Sequence, residues 1–241
     1  MTLSQISALR PAQVAAFSTR EIASLSAKQV AAIAPAAIGR LFAGAAANLS
    51  TGQVAALTLP QVASLKPSQI GTLTATQSGA LTQAQLGVLT PSQLAAFSSS
   101  AIGALTGTQV AAISRYGVTG VAAGSLSAGQ VSALTPLQLA SLLPTQVAAL
   151  PTASLAGLSG TQVAVLSQPA IAALTASQLT SLSGSQIGGL TPSQIAAFKP
   201  AQVAALPAGT LAQFNTRQVA ALSAAGITLL SSTAIDGLSS A

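Results

Sequence analysis

The chain has no cysteine, histidine or tryptophan, and charged residues make up only 4% of its 241 positions. Without cysteine there are no disulfides and no thiol chemistry, a composition that suits an exposed or exported surface. Without histidine the commonest general base and metal ligand is missing. The two acids, Glu21 and Asp236, stand near opposite ends of the chain, so they offer neither a paired-carboxylate site nor an acidic metal cluster. Serines are plentiful, but no base is available to activate one as a nucleophile. These gaps predict a protein that is not an enzyme and takes no metal or other cofactor.

Acids are scarcer than bases, and the eight Lys and Arg residues give a net charge of +6. They are scattered from Arg10 to Arg217, whereas a nucleic-acid groove gathers them, so no specific nucleic-acid partner is expected. Aromatics make up 2%. The mean hydropathy is high, +0.67. Polar residues nevertheless recur too often to leave the roughly 18 uninterrupted apolar residues of a membrane span. The opening MTLSQISALRPAQV lacks the charged, apolar and cleavage regions of a Sec-type signal.

What is present is a period of eight. Residues 2–121 divide into fifteen octads, the five residues AAGSL (122–126) interrupt, and 127–238 divide into fourteen more before a short tail at 239–241. TPSQIAAF (191–198) and STGQVAAL (50–57) are typical. Position 1 is Ser, Thr or Asn in 21 of the 29 octads and position 4 is Gln or Glu in 20. Position 5 is Ile, Val or Leu in 27, position 8 is Leu, Ile, Val or Phe in all 29, and positions 6 and 7 are mostly Ala, Gly and Ser.

Each column has a physical role. Ser or Thr followed three residues later by Gln or Glu is a capping box, with the hydroxyl accepting from the N3 amide and the N3 side chain reaching back to the cap N–H. Ser50 with Gln53 and Thr191 with Gln194 are such pairs. The position-8 residue before a cap and the position-5 residue after it form a hydrophobic staple, as in Leu57 with Val62 and Leu190 with Ile195. All twelve prolines fall at positions 1, 2 or 3, where a helix's first turn tolerates them, and none falls at positions 4 to 8. One continuous helix is thereby excluded. The alternating three- and five-residue apolar spacing also argues against strands.

The pattern predicts an all-α solenoid of very short capped helices, one per octad. Helices this short are marginal alone and must be held by packing positions 5 and 8 onto neighbouring units, with small residues at 6 and 7 letting backbones approach. The period breaks in three places. APAAIGRL and FAGAAANL (34–49) lose both cap and Gln; SRYGVTGVAAGSL (114–126) carries the only tyrosine and the extra residues; SAAGITLLSSTAIDGL (223–238) is atypical, as end repeats are. Arg115, Tyr116, Arg40 and Phe42 are the candidate partner-contact residues at these breaks.

LTPSQLAAF (89–97) and LTPSQIAAF (190–198) resemble the opening helix of TAL-effector repeats over nine residues. The second helix and base-reading loop of those roughly 34-residue repeats have no room in an octad. Residues 2–238 more closely resemble the long Ser/Thr-x-x-Gln-Ile/Val-x-Ala-Leu arrays of large bacterial secreted and surface proteins. That resemblance implies an extracellular or cell-surface structural or adhesive role and carries no catalytic residues. The glycine- and aspartate-rich calcium repeats that such proteins also bear are absent here. A uniform, nearly uncharged surface further suggests self-association into a filament or surface layer. The alternative is a binding scaffold or adhesin spacer that docks a protein or glycan near 114–126.

Overall fold

The computed structural model describes residues 1–45 and 48–239, with 41–45 and 239 described by backbone alone. Among these residues there are twenty-seven α-helices, most of them four to six residues long, and no strand. The chain divides into two compact units, Met1–Ser125 and Leu126–Ala241.

One octad is built the same way throughout. In 50–57 the cap Ser50 is extended (φ −67°, ψ 160°), and Thr51–Ala55 makes one helical turn and a half. The Val54 N–H donates to the Ser50 carbonyl (3.0 Å) and the Leu57 N–H to the Val54 carbonyl (3.2 Å). The next extended cap then redirects the chain. No described residue has a positive φ, so the corners need no glycine.

Within each unit a helix packs chiefly on the helix three octads further on, which is the third helix after it except around Pro35–Ala45, where two octads share one helix. Thr51–Ala55 meets Ala75–Gly79 and Gln83–Gly87 meets Gly107–Ala112 in the first unit; Ala128–Ser132 meets Thr152–Ala156 and Gly160–Ala164 meets Gly184–Gly188 in the second. Each of these pairs is offset by three octads, so three octads make one turn. Each unit is thus an all-α solenoid in which positions 5 and 8 point inward through most octads; in the last two, position 5 turns outward, with Ile227 37% and Ile235 48% exposed. Val54, Ile102 and Leu179 are fully buried at position 5, and Leu57, Leu105 and Leu182 are at most 5% exposed at position 8.

The small columns bring consecutive turns together. A Cβ placed on Gly71 would stand 3.1 Å from the Ala96 carbonyl, and one on Gly79 3.1 Å from that of Ala104, tighter than ordinary contacts. Gly103, in the same column, faces open space, so close packing explains some of these glycines and not others.

Two breaks depart from one α-helix per octad. Residues Pro35–Ala45 form a single helix of 11 residues, because Phe42 stands where a Ser or Thr would restart the chain. This helix packs on Pro11–Ala15 one turn before and Leu59–Ser64 one turn after. In 114–121 the helical segment is a 3₁₀ turn, Gly117–Gly120, packed on Pro91–Ala95. It lies so close that a Cβ on Gly120 would overlap the Pro91 carbonyl.

The extra residues 122–126 keep the period in space although they break it in sequence. Ala123–Ser125 packs on Ser99–Gly103, three octads earlier. Ala123 and Leu126 are buried and stand three apart in the chain, as positions 5 and 8 do. AAGSL is therefore an octad without its first three positions.

Candidate functional site

The position-4 glutamine does more than cap its own helix. In the octad 50–57 the Ser50 Oγ accepts from the Gln53 N–H (3.2 Å), and Gln53 Oε1 accepts from the Ser50 N–H (2.7 Å). Gln53 Nε2 then donates back to the preceding turn, to the carbonyls of Ile22 (2.9 Å) and Leu25 (2.7 Å). These carbonyls close an earlier helix that its own backbone leaves partly unsatisfied. One amide thus saturates three backbone groups on two turns, and its orientation is fixed by them: a donor faces its oxygen and acceptors face its nitrogen.

The bond recurs along both units. Gln85 Nε2 donates to the carbonyls of Val54 (3.0 Å) and Leu57 (2.7 Å). Gln178 Nε2 does so to Val147 (3.0 Å) and Leu150 (2.8 Å). At the second typical octad, Thr191 Oγ1 accepts from the Gln194 N–H (3.3 Å). Gln194 Nε2 donates to Ala164 (2.9 Å) and Leu166 (2.7 Å). Buried amides are costly unless bonded, and these are buried and bonded: Gln61 is 0% exposed and Gln85 1%. The result is a ladder of side-chain amides doing between helical turns what backbone bonds do between strands.

Capping without a hydroxyl keeps one arm of the box. Arg10, Lys66, Leu143 and Lys199 stand at position 1, and each still gives its N–H to the Gln Oε1 three residues on. Where the ladder has no rung, the column changes: a Cβ on Gly117 would stand only 2.9–3.1 Å from side-chain atoms of Leu94, Ser114 and Ile113, which would have to shift to admit it. At position 5 of 74–81, Ser78 replaces the usual aliphatic. It is fully buried, and its Oγ has no hydrogen-bond partner among the described residues.

The residues at the breaks are placed apart. Tyr116 is 65% exposed, its ring covered by the Arg115 guanidinium at 4.6 Å, and Arg115 donates to the Tyr116 hydroxyl. Arg40 is exposed on helix Pro35–Ala45. The Phe42 side chain lies outside the described residues. Glu21 accepts from the Ser18 hydroxyl (2.7 Å) and the Ser18 N–H (2.8 Å), which together hold its carboxyl below the usual glutamate range. No group of three or more His, Cys, Asp or Glu comes together among the described residues, and none of their helices is long and apolar enough to cross a membrane.

The rung role of glutamine escapes a reading of single octads, yet a signal for it exists. A capping box accepts Glu as readily as Gln. Of the 20 residues of this kind at position 4, only Glu21 is an acid, and all the others are glutamine. A cap needs only an acceptor; such a bias calls for a donor as well. Compared with known proteins, the chain matches no family model and no curated protein.

Proposed function

We propose that the chain is a structural repeat protein that assembles with copies of itself, working outside the cell or at its surface. The observation that supports this most is the ladder. Turn-on-turn contact repeats along each unit, and Gln5 and Gln13 of the first described turn carry the donor amide while remaining exposed, with no rung of their own. A carbonyl-bearing turn from a second copy would meet them as Leu57 meets Gln85. Few charges oppose such stacking, and exposed apolar side chains such as Leu137 (64%) and Leu229 (56%) favour it. Its resemblance to secreted octad arrays supports the extracellular setting. Light scattering across a concentration series, with negative-stain microscopy, should detect filaments or sheets that the double variant Q5A/Q13A forms less readily. Protein that stays monomeric at high concentration overturns the reading.

A second reading, a scaffold docking another surface protein or a glycan, is favoured by the exposed Arg115–Tyr116 stack. Deleting 114–126 cannot test it, because Val118, Val121 and Ala123 belong to the core. The point variants R115A and Y116A leave the core intact and should abolish capture of a partner while helicity is unchanged.

A further inference from the structure

Where helix Pro35–Ala45 passes residues 64–72 it leaves an open groove of about 570 Å³. Arg40 lines one wall, and Lys66 with Ser64, Ser68 and Thr72 lines the other. Two of the chain's eight cations therefore share one concavity, although the rest are dispersed. Neither the Arg40 guanidinium nor the Lys66 ammonium has a hydrogen-bond or ion-pair partner among the described residues. Both acids of the chain lie outside the groove lining.

The wall around them is set. Gln69 Oε1 takes the Lys66 N–H (2.7 Å) and its Nε2 donates to the Gly39 carbonyl across the groove, joining the two walls. Ser64 Oγ donates to the carbonyls of Pro35 (3.0 Å) and Gln61 (2.7 Å), and Thr72 Oγ1 to that of Gln69 (2.7 Å). With their protons committed to backbone, these hydroxyls are left as acceptors. The groove thus combines unpaired cations with fixed hydroxyl acceptors. Its complement is a ligand bearing anionic groups and hydroxyl donors of its own. We infer that the groove between Arg40 and Lys66 binds a short acidic oligosaccharide, one carrying carboxylate or sulfate groups. Nucleic acid fits less well, since no aromatic side chain is among the described residues that line the groove, and none of these can stack a base.

Lys199 provides an internal control. It opens KPAQVAAL as Lys66 opens KPSQIGTL, has nearly the same backbone angles, and gives its N–H to Gln202 as Lys66 does to Gln69. Arg40 precedes Lys66 by three octads and two positions, and the residue that precedes Lys199 by the same interval is Ala173. A cap lysine alone therefore predicts no binding; the pair does.

The test is calorimetric titration of the full chain with trigalacturonate and with a sulfated heparin tetrasaccharide, using maltotriose and an oligothymidylate as comparisons. R40Q and K66Q should each weaken binding of an acidic saccharide about fivefold or more, K199Q should leave it unchanged, and maltotriose should not bind. Arg40 and Lys66 are exposed, so unchanged circular dichroism and melting temperature should show both variants folded. Failure of both acidic saccharides to bind overturns the proposal. So does a loss from K199Q equal to that from K66Q, which would mean diffuse attraction, or equal binding of oligothymidylate through the same two residues, which would mean a general polyanion site.

Discussion

The first described turn, residues 2–25, and the turns at 50–97 are written in the same columns, yet position 4 has two fates. Gln5, Gln13 and Glu21 are exposed and serve only their own caps, whereas Gln53, Gln61 and Gln85 are buried and also join two turns. Only in the first of these settings does an acid stand in the column. The difference separates two requirements that one residue type meets: an acceptor for the cap, used in both settings, and a donor for the turn before, used only in the second.

Substituting the donor should break that comparison most sharply. In Q85E a carboxylate can still accept the Thr82 N–H but can give nothing to Val54 and Leu57, and it places a charge beside their carbonyls. Burying an uncompensated charge should cost about 3–5 kcal/mol at neutral pH, measured by urea unfolding. Q13E, in the exposed turn, should be near neutral. Burial and carbonyl dipoles raise the folded pKa of the introduced carboxyl above its unfolded value. The Q85E variant should therefore be most stable below the ordinary glutamate range and lose stability as pH rises from there through the raised folded pKa. Q85L, which leaves both carbonyls and a cap N–H unpaired without adding charge, should cost about 2–3 kcal/mol and show no such slope.

Glycines sharpen the same contrast between tight and open contacts. G120A would drive a methyl into the Pro91 backbone, which cannot swing away, and should cost at least about 2 kcal/mol. G103A meets nothing and sits in a helix, so it should stabilise by about 0.5–1 kcal/mol. Melting temperatures of the two variants moving in opposite directions would confirm that the glycines of positions 6 and 7 occupy two kinds of site. Equal effects would refute it.

How far the sequence can be read follows from how far each interaction reaches. The cap at Ser50 and Gln53 and the inward columns Val54 and Leu57 are complete within eight residues, so the octad text states them. Three octads per turn depends on helices that meet only a full turn apart and on rungs reaching 28 and 31 residues back, which no single octad encodes. The lost cap at Phe42 foreshadows the merged helix Pro35–Ala45 but not its groove with Lys66. That groove pairs the irregular octad 34–41 with residues 64–72, which span the end of the octad one turn later and most of the next. AAGSL reads as an insertion because its missing cap hides the preserved spacing of Ala123 and Leu126.

Ser78 tests whether the inward column is a packing rule alone. Its neighbours in the column one turn away, Val54 and Ile102, are fully buried aliphatics, while the Ser78 hydroxyl is enclosed without a partner among the described residues. S78V removes the unpaired hydroxyl and restores the side chain found at Val54 and Val110, so it should stabilise by about 1–3 kcal/mol. A destabilised S78V would mean that this turn has closed around the serine and that the column is locally adapted.

The smallest effect returns to the exposed turn. The Ser18 hydroxyl and N–H lower the folded pKa of Glu21. Its contribution is therefore fully present above the unfolded pKa and is lost as pH falls through the folded one. Full exposure makes that contribution small, but its sign is opposite to that predicted for Q85E. E21Q keeps an acceptor for the cap and removes the charge, so wild type and variant should differ slightly at neutral pH and converge in acid, as melting temperatures across that range would measure. If E21Q instead loses stability at every pH, the first turn demands more of position 4 than an acceptor, and the division between capping and rung-forming turns fails at its simplest point.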